Sequence, residues 1–281
     1  MKLCRYGSAG LEKPGLIDSD RRLRDLSGVV DDIGPNEISP RGLKTLGAVK
    51  PESLPLVNGR PRFGVPYVGI GKFIAIGLNY SDHAREAGLP VPTEPVVFMK
   101  AITCISGPND DVIQPKHSTK LDWEVELGVV IGTEAHYVHE SEALNHVAGY
   151  CIVNDVSERA FQMATSQWDK GKGFDTAGPI GPWLVTADEI RDPQALDMSL
   201  DVNGARMQSG NTRTMVFGIA SIVSHVSRYM RLRPGDIIAT GTPPGVGLGI
   251  KPAPVFLKPG DVMTLTIDGL GEQRQRVVPY A

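Results

Sequence analysis

Apolar residues occur along this chain mostly in short runs rather than in long helical stripes. Runs of this length, continuous or alternating with polar residues, are typical of β-strands. They predict strands at residues 2–6, 15–18, 73–77, 96–99, 123–131, 147–153, 183–185, 199–202, 237–240 and 262–267. Helical spacing predicts two longer helices, at residues 157–168 and 215–230. Because strands and helices do not alternate regularly, the pattern predicts a β-rich α+β fold rather than a doubly wound sheet or a (β/α)8 barrel.

Serine and proline positions add detail to this pattern. Ser39 is placed to begin one short helix, and Ser81 is placed to cap another. The segment 51–66 is rich in proline, a composition expected of a connection between modules. We therefore predict a small amino-terminal α/β domain at residues 1–66 and a larger carboxy-terminal domain at residues 67–281.

The overall composition narrows the class of protein. The 281 residues are 41% hydrophobic, enough for a large buried core, and carry a formal net charge of −3. That charge gives no electrostatic reason to expect binding to nucleic acid or to an anionic membrane surface. No run approaches the roughly 20 apolar residues that span a bilayer. The three cysteines are too far apart along the chain to suggest a disulfide framework or a zinc site, so we expect a soluble cytoplasmic protein.

Two carboxylates lie two residues apart inside a predicted strand. Side chains alternate between the faces of a strand, so Glu124 and Glu126 project the same way, opposite a wholly apolar face. A third acid, Asp155, follows the next buried strand. Three carboxylates without histidine or cysteine suit a hard ion, Mg²⁺ or Mn²⁺. The alternative is a half-exposed strand with solvated glutamates.

Two other places carry side chains suited to catalysis. His83 and Glu86 are three residues apart, so on the predicted helix they share a face, where a carboxylate can orient an imidazole as a general base. Lys170 and Lys172 lie in a glycine-bearing loop, where one could hold a substrate oxygen or form a Schiff base. The alternatives are an exposed helix of mixed charge and a pair of solvated loop lysines.

A glycine-rich loop follows the strand that ends near residue 240. Its glycines let backbone N–H groups and the hydroxyl of Thr242 approach a small anion. The loop is not a phosphate-binding Walker loop, because no Gly-Lys-Ser/Thr closes it.

Six segments, taken together in order and approximate spacing, resemble the fumarylacetoacetate hydrolase family. They are residues 76–83, 122–127, 149–159, 171–175, 234–236 and 240–247. The resemblance implies a mixed β-sandwich or roll in the carboxy-terminal part, preceded by a smaller and variable amino-terminal domain. It covers residues 72–281 and makes the metal-site interpretation of the three acids the preferred one.

The resemblance also implies roles for individual residues. The metal ligands would be Glu124, Glu126 and Asp155, with Mg²⁺ or Mn²⁺ bound. The catalytic residues would be His83, Glu86 and Lys172, with the first two on a helix that acts as a lid. Substrate contacts are predicted at Tyr80, Lys100, Gln162 and Thr242. One departure is Gly173, where many members carry serine, and this bears on the anchoring of Lys172.

The amino-terminal residues and the segments 153–162 and 167–172 resemble a subgroup of this family. That subgroup includes hydrolases of 2,4-diketo-3-deoxy sugar acids, such as the rhamnonate and fuconate types. The implied reaction cleaves the C3–C4 bond of a 2,4-diketo acid to pyruvate and a second carboxylic acid, in a homodimer or homotetramer. Alternative activities that use the same chemistry of a metal-chelated 2-oxo acid are those of a ureidoglycolate lyase, an oxaloacetate decarboxylase and a dienoate isomerase or hydratase. More distant alternatives are a binding protein without activity and a Schiff-base lyase that uses Lys170 or Lys172.

Overall fold

The computed structural model describes residues 1–88 and 90–280, apart from the side chains of His83, Ala84 and Ala87. The strands are β1 Lys2–Tyr6, β2 Lys13–Ile17, β3 Leu23–Asp25, β4 Phe73–Gly77, β5 Val96–Lys100, β6 Ile105–Ser106, β7 Val112–Gln114, β8 Leu121–Asp122, β9 Val125–Ile131, β10 Val147–Asn154, β11 Ser157–Glu158, β12 Gly178–Thr186, β13 Asp197–Val202, β14 Ala205–Asn211, β15 Ile237–Ala239, β16 Val262–Ile267 and β17 Gly271–Pro279. The α-helices are α1 Pro40–Gly47, α2 Ser81–Ala87, α3 Arg159–Gln162, α4 Asp169–Lys172 and α5 Ile219–Tyr229. Short 3-10 turns lie at Pro51–Ser53, Ile102–Cys104, Glu140–His146, Ala187–Glu189, Thr212–Thr214 and Gly247–Gly249. The predicted β-rich α+β fold is confirmed.

A long mixed sheet organises the chain. Its strand order is β3-β2-β1-β12-β10-β9-β15-β4-β5, with β6 beside β12. Most neighbours are antiparallel, but β15 pairs with β4 in parallel. The antiparallel register of β9 and β10 places Glu126 opposite Val153, so the end of β10 lies beside the first acids of β9.

A second sheet, ordered β14-β13-β16-β17-β7, packs on the first through β9, β10 and β12. The core between the sheets is largely apolar, but β17 buries two amides in it. Gln273 and Gln275 are fully buried, and their side chains are hydrogen bonded to each other at 3.0 Å. Gln275 also accepts a hydrogen bond from the amide of Asn154 at 3.0 Å. The amides therefore fix the residue that directly precedes Asp155.

Both faces of the acid-bearing strand are buried. Trp123, Val125 and Leu127 on one face have no exposed surface, and Glu124 and Glu126 on the other face are 6% and 2% exposed. The interpretation of these glutamates as solvated residues of a half-exposed strand is therefore wrong. The second sheet packs on one face of β9 and the other face lines a cavity, so neither face lies on the open surface of the protein.

The helix predictions met different outcomes. Helix α1 is confirmed, and the hydroxyl of Ser39 caps it by accepting a hydrogen bond from the N–H of Gly42 at 3.1 Å. The helix predicted from residue 215 begins four residues later. The N–H groups of Val216 and Phe217 donate to the backbone and side-chain oxygens of Asn79, at 2.7 and 2.9 Å, which holds them extended.

The continuous helix predicted at residues 157–168 is wrong. Ser157 and Glu158 form β11, which pairs with β8. The carboxylate of Glu158 then accepts a hydrogen bond from the N–H of Phe161 at 2.7 Å and starts the single turn α3. A second turn, α4, packs across α3 at Gly171, where a Cβ atom would lie 2.4 Å from the backbone nitrogen of Gln162. Two crossed turns thus replace one helix.

The amino-terminal strands are part of the large sheet. Leu3 in β1 pairs with Leu184 in β12, so β1, β2 and β3 extend the sheet at one edge. The domain boundary at residue 66 stays a prediction. Within residues 1–88 and 90–280, the helices are too short and insufficiently apolar to cross a membrane.

Candidate active site

Three acids from two neighbouring strands converge at the centre of the large sheet. Glu124 directly precedes β9, Glu126 lies within it, and Asp155 directly follows β10. One carboxylate oxygen from each lies within 4.8 Å of the others. The backbone N–H of Asp155 donates to the carbonyl of Glu124 at 2.9 Å, so the two segments are fixed to each other as well as paired.

Two lysines form ion pairs with two of these acids, Glu124 and Asp155. The ammonium group of Lys172 lies 2.7 Å from Oε2 of Glu124 and 2.7 Å from Oδ2 of Asp155. The ammonium group of Lys100 lies 2.6 Å from Oδ1 of Asp155 and also donates to the backbone carbonyl of Lys172. Each oxygen of Asp155 therefore has its own cationic partner, and the backbone of Lys172 is anchored without a serine at Gly173.

A buried arginine connects Glu124 to Asp122 and Gln162. Arg159 is 4% exposed, and its guanidinium donates to Glu124 at 2.7 Å, to Asp122 at 2.8 Å and to the side chain of Gln162 at 3.0 Å. No role was predicted for Arg159 or Asp122 from the sequence. The spacing of Arg159 and Gln162, three residues apart, is the signal that could have placed both on one face of a helical turn.

The charges in this cluster shift each other's protonation. Burial, followed by the charges of Asp155 and Glu124, raises the pKa of Glu126 well above its ordinary value. Burial lowers the pKa of Lys172, but the charges of Asp155 and Glu124 outweigh it and the pKa is raised. Lys172 is therefore an ammonium ion at neutral pH.

The donor set fits a divalent ion. All three acids are buried and offer oxygen ligands only, and burial, followed by the like charges of Asp155 and Glu124, raises the pKa of Glu126. A hard cation prefers oxygen ligands of this kind and relieves the repulsion between them. Glu124, Glu126 and Asp155 could therefore hold Mg²⁺ or Mn²⁺.

The glycine-rich loop after β15 uses its backbone N–H groups on the chain's own acids. Gly241 donates to Glu126 at 2.8 Å, and Gly245 donates to Glu86 at 3.0 Å. Gly247 and Leu248 donate to the carboxylate of Asp122 at 2.7 and 3.0 Å. The backbone N–H groups of the loop therefore bind carboxylate side chains of this protein, and the predicted contact with a small anion from outside stays a prediction.

A cavity of about 350 Å³ opens over the acids. Glu124, Glu126 and Asp155, called the acidic centre below, line it together with their partners Arg159 and Lys172. The other polar side chains of the lining are those of Glu86, Gln162, Thr242 and Lys251. The rest of its side-chain lining is apolar and comprises Ile76, Leu78, Phe98, Met163, Trp168, Val246 and Leu248. The cavity is at the small end of the usual range for ligand sites, which suits a small acid.

The structure brings most predicted site residues to this cavity, but not all of them. Glu86, Lys172, Gln162 and Thr242 line it together with the three acids. Tyr80 and Lys100 are fully buried and are not among its lining residues. The hydroxyl of Tyr80 donates to the sulfur of Met198 at 3.1 Å, and Lys100 lies behind Asp155. The side chain of His83 lies outside the described residues.

Thr242 and Glu86 both have partners within the chain. The hydroxyl of Thr242 donates to the carbonyl of Val125 at 2.9 Å and accepts from the amide of Gln208 at 2.8 Å. The carboxylate of Glu86 links helix α2 to the loop at Gly245. Both residues therefore tie the wall of the cavity to neighbouring segments.

The fold and the buried acidic centre together define an enzyme built on a β-rich scaffold. A sequence model described as "Fumarylacetoacetate (FAA) hydrolase C-terminal" matches residues 72–278, and the chain belongs to this family. A protein of Burkholderia ambifaria that carries only the provisional name of a hydrolase is 62% identical over 276 residues, which cover 98% of each chain.

Solved structures of related enzymes share the whole fold. The fumarylacetoacetate hydrolase of the psychrophilic Exiguobacterium antarcticum is 35% identical, with a TM-score of 0.89 over 100% of both chains. The maleylpyruvate hydrolase of Sphingobium sp. SYK-6, solved in complex with manganese(II) and pyruvate, is 29% identical, with a TM-score of 0.83 over 100% of both chains.

Proposed function

We propose that this protein is a divalent-metal-dependent hydrolase that cleaves the C3–C4 bond of a 2,4-diketo acid, releasing pyruvate and a second carboxylic acid. The observation that carries the proposal is the meeting of three buried carboxylates, Lys172 and Arg159 in one small cavity. The related maleylpyruvate hydrolase, whose structure contains manganese(II) and pyruvate, supports both the ion and the product.

The acidic centre supplies the binding site for the reacting end of the substrate. A divalent ion held by Glu124, Glu126 and Asp155 would supply positive charge that polarises the 2-oxo group and its neighbouring carboxylate. Lys172 keeps a third N–H donor beyond its two bonds to Glu124 and Asp155, because an ammonium has three. That donor stabilises negative charge on the 2-oxo oxygen as the C3–C4 bond breaks.

Water is the nucleophile in this proposal. Glu86 lines the cavity, and His83, three residues before it in the sequence, is proposed as the base that takes a proton from water. The water oxygen forms a bond to C4, the C3–C4 bond breaks, and its electron pair becomes the enolate of pyruvate. A proton delivered to C3 completes pyruvate, and C4 leaves as the carboxyl group of the second product.

The protonation of Lys172 argues against a Schiff-base lyase. A Schiff base requires a neutral amine, whereas the neighbouring acids raise the pKa of Lys172 and keep it charged. Lys170 is exposed and does not line the cavity. Borohydride treatment in the presence of substrate should therefore leave no covalent adduct on either lysine.

Pyruvate release from an acylpyruvate tests the proposal. Chelator-treated protein should not hydrolyse 2,4-dioxopentanoate, and Mg²⁺ or Mn²⁺ should restore hydrolysis, measured as pyruvate formed. Glu124→Gln should lower kcat by about 10²–10³, while Asp201→Asn, a change in an exposed ion pair, should not. The proposal is overturned if the metal-loaded protein yields no pyruvate from acylpyruvates. Turnover of ureidoglycolate, oxaloacetate or a dienoate would then identify the alternative reaction.

A further inference from the structure

One edge of strand β9 has side chains as its hydrogen-bonding partners beside Glu124 and Glu126. Strand β15 pairs with the later part of β9, and Val125, the residue between the two glutamates, precedes that pairing. The N–H of Val125 donates to Oε1 of Gln208 at 3.0 Å. The carbonyl of Val125 accepts a hydrogen bond from the hydroxyl of Thr242 at 2.9 Å. Two side chains therefore bind both backbone groups of the residue that separates the glutamates.

A single glutamine closes these contacts into a ring. The amide nitrogen of Gln208 donates to the hydroxyl of Thr242 at 2.8 Å, so the ring runs from Val125 through Gln208 and Thr242 and back to Val125. The same nitrogen donates to the carbonyl of Pro243 at 2.8 Å. A side-chain amide has two N–H donors, and both are used here. Gln208 has no exposed surface, so these bonds form away from water.

The backbone of strand β14 lies against the loop that follows β15. A Cβ atom at Gly245 would lie 2.0 Å from the carbonyl oxygen of Met207, and one at Gly210 would lie 2.4 Å from the Cβ atom of Pro243. Gly245 also has a φ of +102°, a conformation that suits glycine. Strand and loop are thus in close contact on both sides of Gln208, which lets its side chain reach the loop and β9 together.

The ring fixes the backbone on which the spacing of two carboxylates depends. Glu124 and Glu126 repel each other when both are ionised, and a rotation of the backbone at Val125 would change the distance between them. Mg²⁺ requires nearly ideal octahedral geometry, so its ligands must be held at a defined spacing. Gln208 is not among the residues that line the cavity. Any effect it has on the ion is therefore exerted through the position of the glutamates.

We propose that Gln208 is a positioning residue of the metal site, which holds the backbone at Val125 so that Glu124 and Glu126 present their oxygens at the spacing that a divalent ion requires. This inference rests on the proposed function, because it takes Glu124, Glu126 and Asp155 as the metal ligands. It goes beyond that function by assigning part of the affinity for the ion to a residue of the second sheet, outside the cavity lining.

Calorimetric titration with Mn²⁺ tests this inference without any turnover of substrate. Gln208→Met keeps the approximate length of the side chain but removes both ends of the amide, so the N–H of Val125 loses its acceptor. We expect the dissociation constant for Mn²⁺ to rise by about 10- to 100-fold, the usual result of removing a residue that orients metal ligands.

Gln194→Met is the matched control. The amide of Gln194 also binds backbone groups at both ends, because it accepts from the N–H of Ile219 at 2.6 Å and donates to the carbonyl of Thr212 at 3.1 Å. Neither partner belongs to β9 or to the loop after β15. This variant should lose stability, as Gln208→Met should, but it should keep the wild-type dissociation constant for Mn²⁺.

Two variants of Thr242 test the ring while Gln208 stays in place. Thr242→Val removes the hydroxyl that donates to Val125, so the dissociation constant for Mn²⁺ should rise. Thr242→Ser keeps the hydroxyl and should bind Mn²⁺ about as tightly as the wild-type protein. Because Gln208 and Thr242 act on the same backbone, combining Gln208→Met with Thr242→Val should raise the constant by less than the product of the single effects. If Gln208→Met does not fold, the comparison of valine with serine decides.

The binding measurement separates this inference from the proposed reaction. A raised dissociation constant in Gln208→Met, with that of Gln194→Met unchanged, supports the inference even if no acylpyruvate is hydrolysed. Equal constants in the wild-type protein and Gln208→Met overturn it even if hydrolysis is observed. Equal increases in both variants also overturn it, because they indicate a general loss of stability. A wild-type protein that binds no Mn²⁺ would overturn the metal site and this inference together.

Discussion

The ammonium group of Lys100 lies 2.6 Å from Oδ1 of Asp155, and neither side chain reaches solvent. Lys100 was predicted to contact substrate, yet its described contacts are with Asp155 and the carbonyl of Lys172. A buried charge pair of this kind is costly to break, because the remaining partner keeps its charge without compensation. Lys100 therefore supports the position of two residues that line the cavity.

Lys100→Met should destabilise the protein by about 3–5 kcal/mol, the cost of breaking a buried charge pair, because Oδ1 of Asp155 then has no cationic partner while Oδ2 keeps Lys172. Urea unfolding of the metal-free protein measures this change. Lys258→Met removes an exposed lysine and should change the free energy of unfolding by less than about 0.5 kcal/mol. If the two variants are equally stable, the ion pair to Asp155 has no energetic importance.

Glu126→Gln should make the metal-free protein more stable at neutral pH. Burial and the charges of Asp155 and Glu124 raise the pKa of Glu126 in the folded state above its ordinary value of 4.5. Above that pH the unfolded chain releases the proton while the folded chain retains it, so folding stability falls as pH rises. The variant lacks this titration, and the N–H of Gly241 can still donate to its amide oxygen.

Unfolding curves from pH 4 to pH 8 test this pH dependence. The advantage of Glu126→Gln should shrink as pH falls toward the ordinary pKa of glutamate. Adding Mn²⁺ should reverse the order, because the ion stabilises the folded state that binds it more tightly. An advantage that does not vary with pH would contradict the raised pKa of Glu126.

Gly171→Ala should disrupt the crossing of helical turns α3 and α4. The new Cβ atom would lie 2.4 Å from the backbone nitrogen of Gln162, so the two turns must separate. Overpacking of this kind costs about 1–3 kcal/mol or more, and it displaces the adjacent Lys172. The matched control is Gly28→Ala, because nothing lies within 4 Å of a Cβ atom at Gly28. The midpoint temperature of thermal unfolding and kcat should both be lower in Gly171→Ala than in the wild-type protein. Both should be unchanged in Gly28→Ala.

Asp122→Asn should weaken the hydrogen bonds that hold Arg159 and the turn Gly247–Gly249 in the lining of the cavity. The Asp122 carboxylate accepts hydrogen bonds from Arg159, Gly247 and Leu248 and from the N–H of Trp123. An asparagine keeps one acceptor oxygen and turns an NH₂ group toward the remaining donors. We expect a loss of about 1–3 kcal/mol in stability and a higher KM. Asp201→Asn, in the exposed pair with Arg206, should leave both unchanged.

The elements that the sequence predicted well are those with a continuous apolar run. Strand β16 was predicted with its observed bounds, and β10 to within one residue. Strand β17 was missed because its buried positions include Gln273 and Gln275, whose amides are satisfied by distant backbone carbonyls such as that of Ile152. Strand prediction depends on apolar residues at the buried positions of the alternating pattern, and in β17 two of those positions are glutamines.

The cluster of Glu124, Glu126 and Asp155 was predictable because these acids lie within or next to strands whose burial is evident in the sequence. Arg159 was missed because residues 157–168 have helical spacing and were predicted as one helix. The structure instead has the strand β11, a capping residue and the separate helical turns α3 and α4. The bonds from Arg159 to Asp122 and Glu124 depend on the pairing of β11 with β8, which the apolar pattern does not reveal. The homodimer or homotetramer and the cytoplasmic location stay predictions.

The pairing of β1 with β12 covers a strand edge that would otherwise be exposed to other chains. Without β1, β2 and β3, strand β12 would present a row of unpaired backbone groups at an open border of the sheet. Exposed borders of this kind attract other chains and promote aggregation. A shortened protein that starts after residue 66 should therefore precipitate rather than yield a smaller working enzyme.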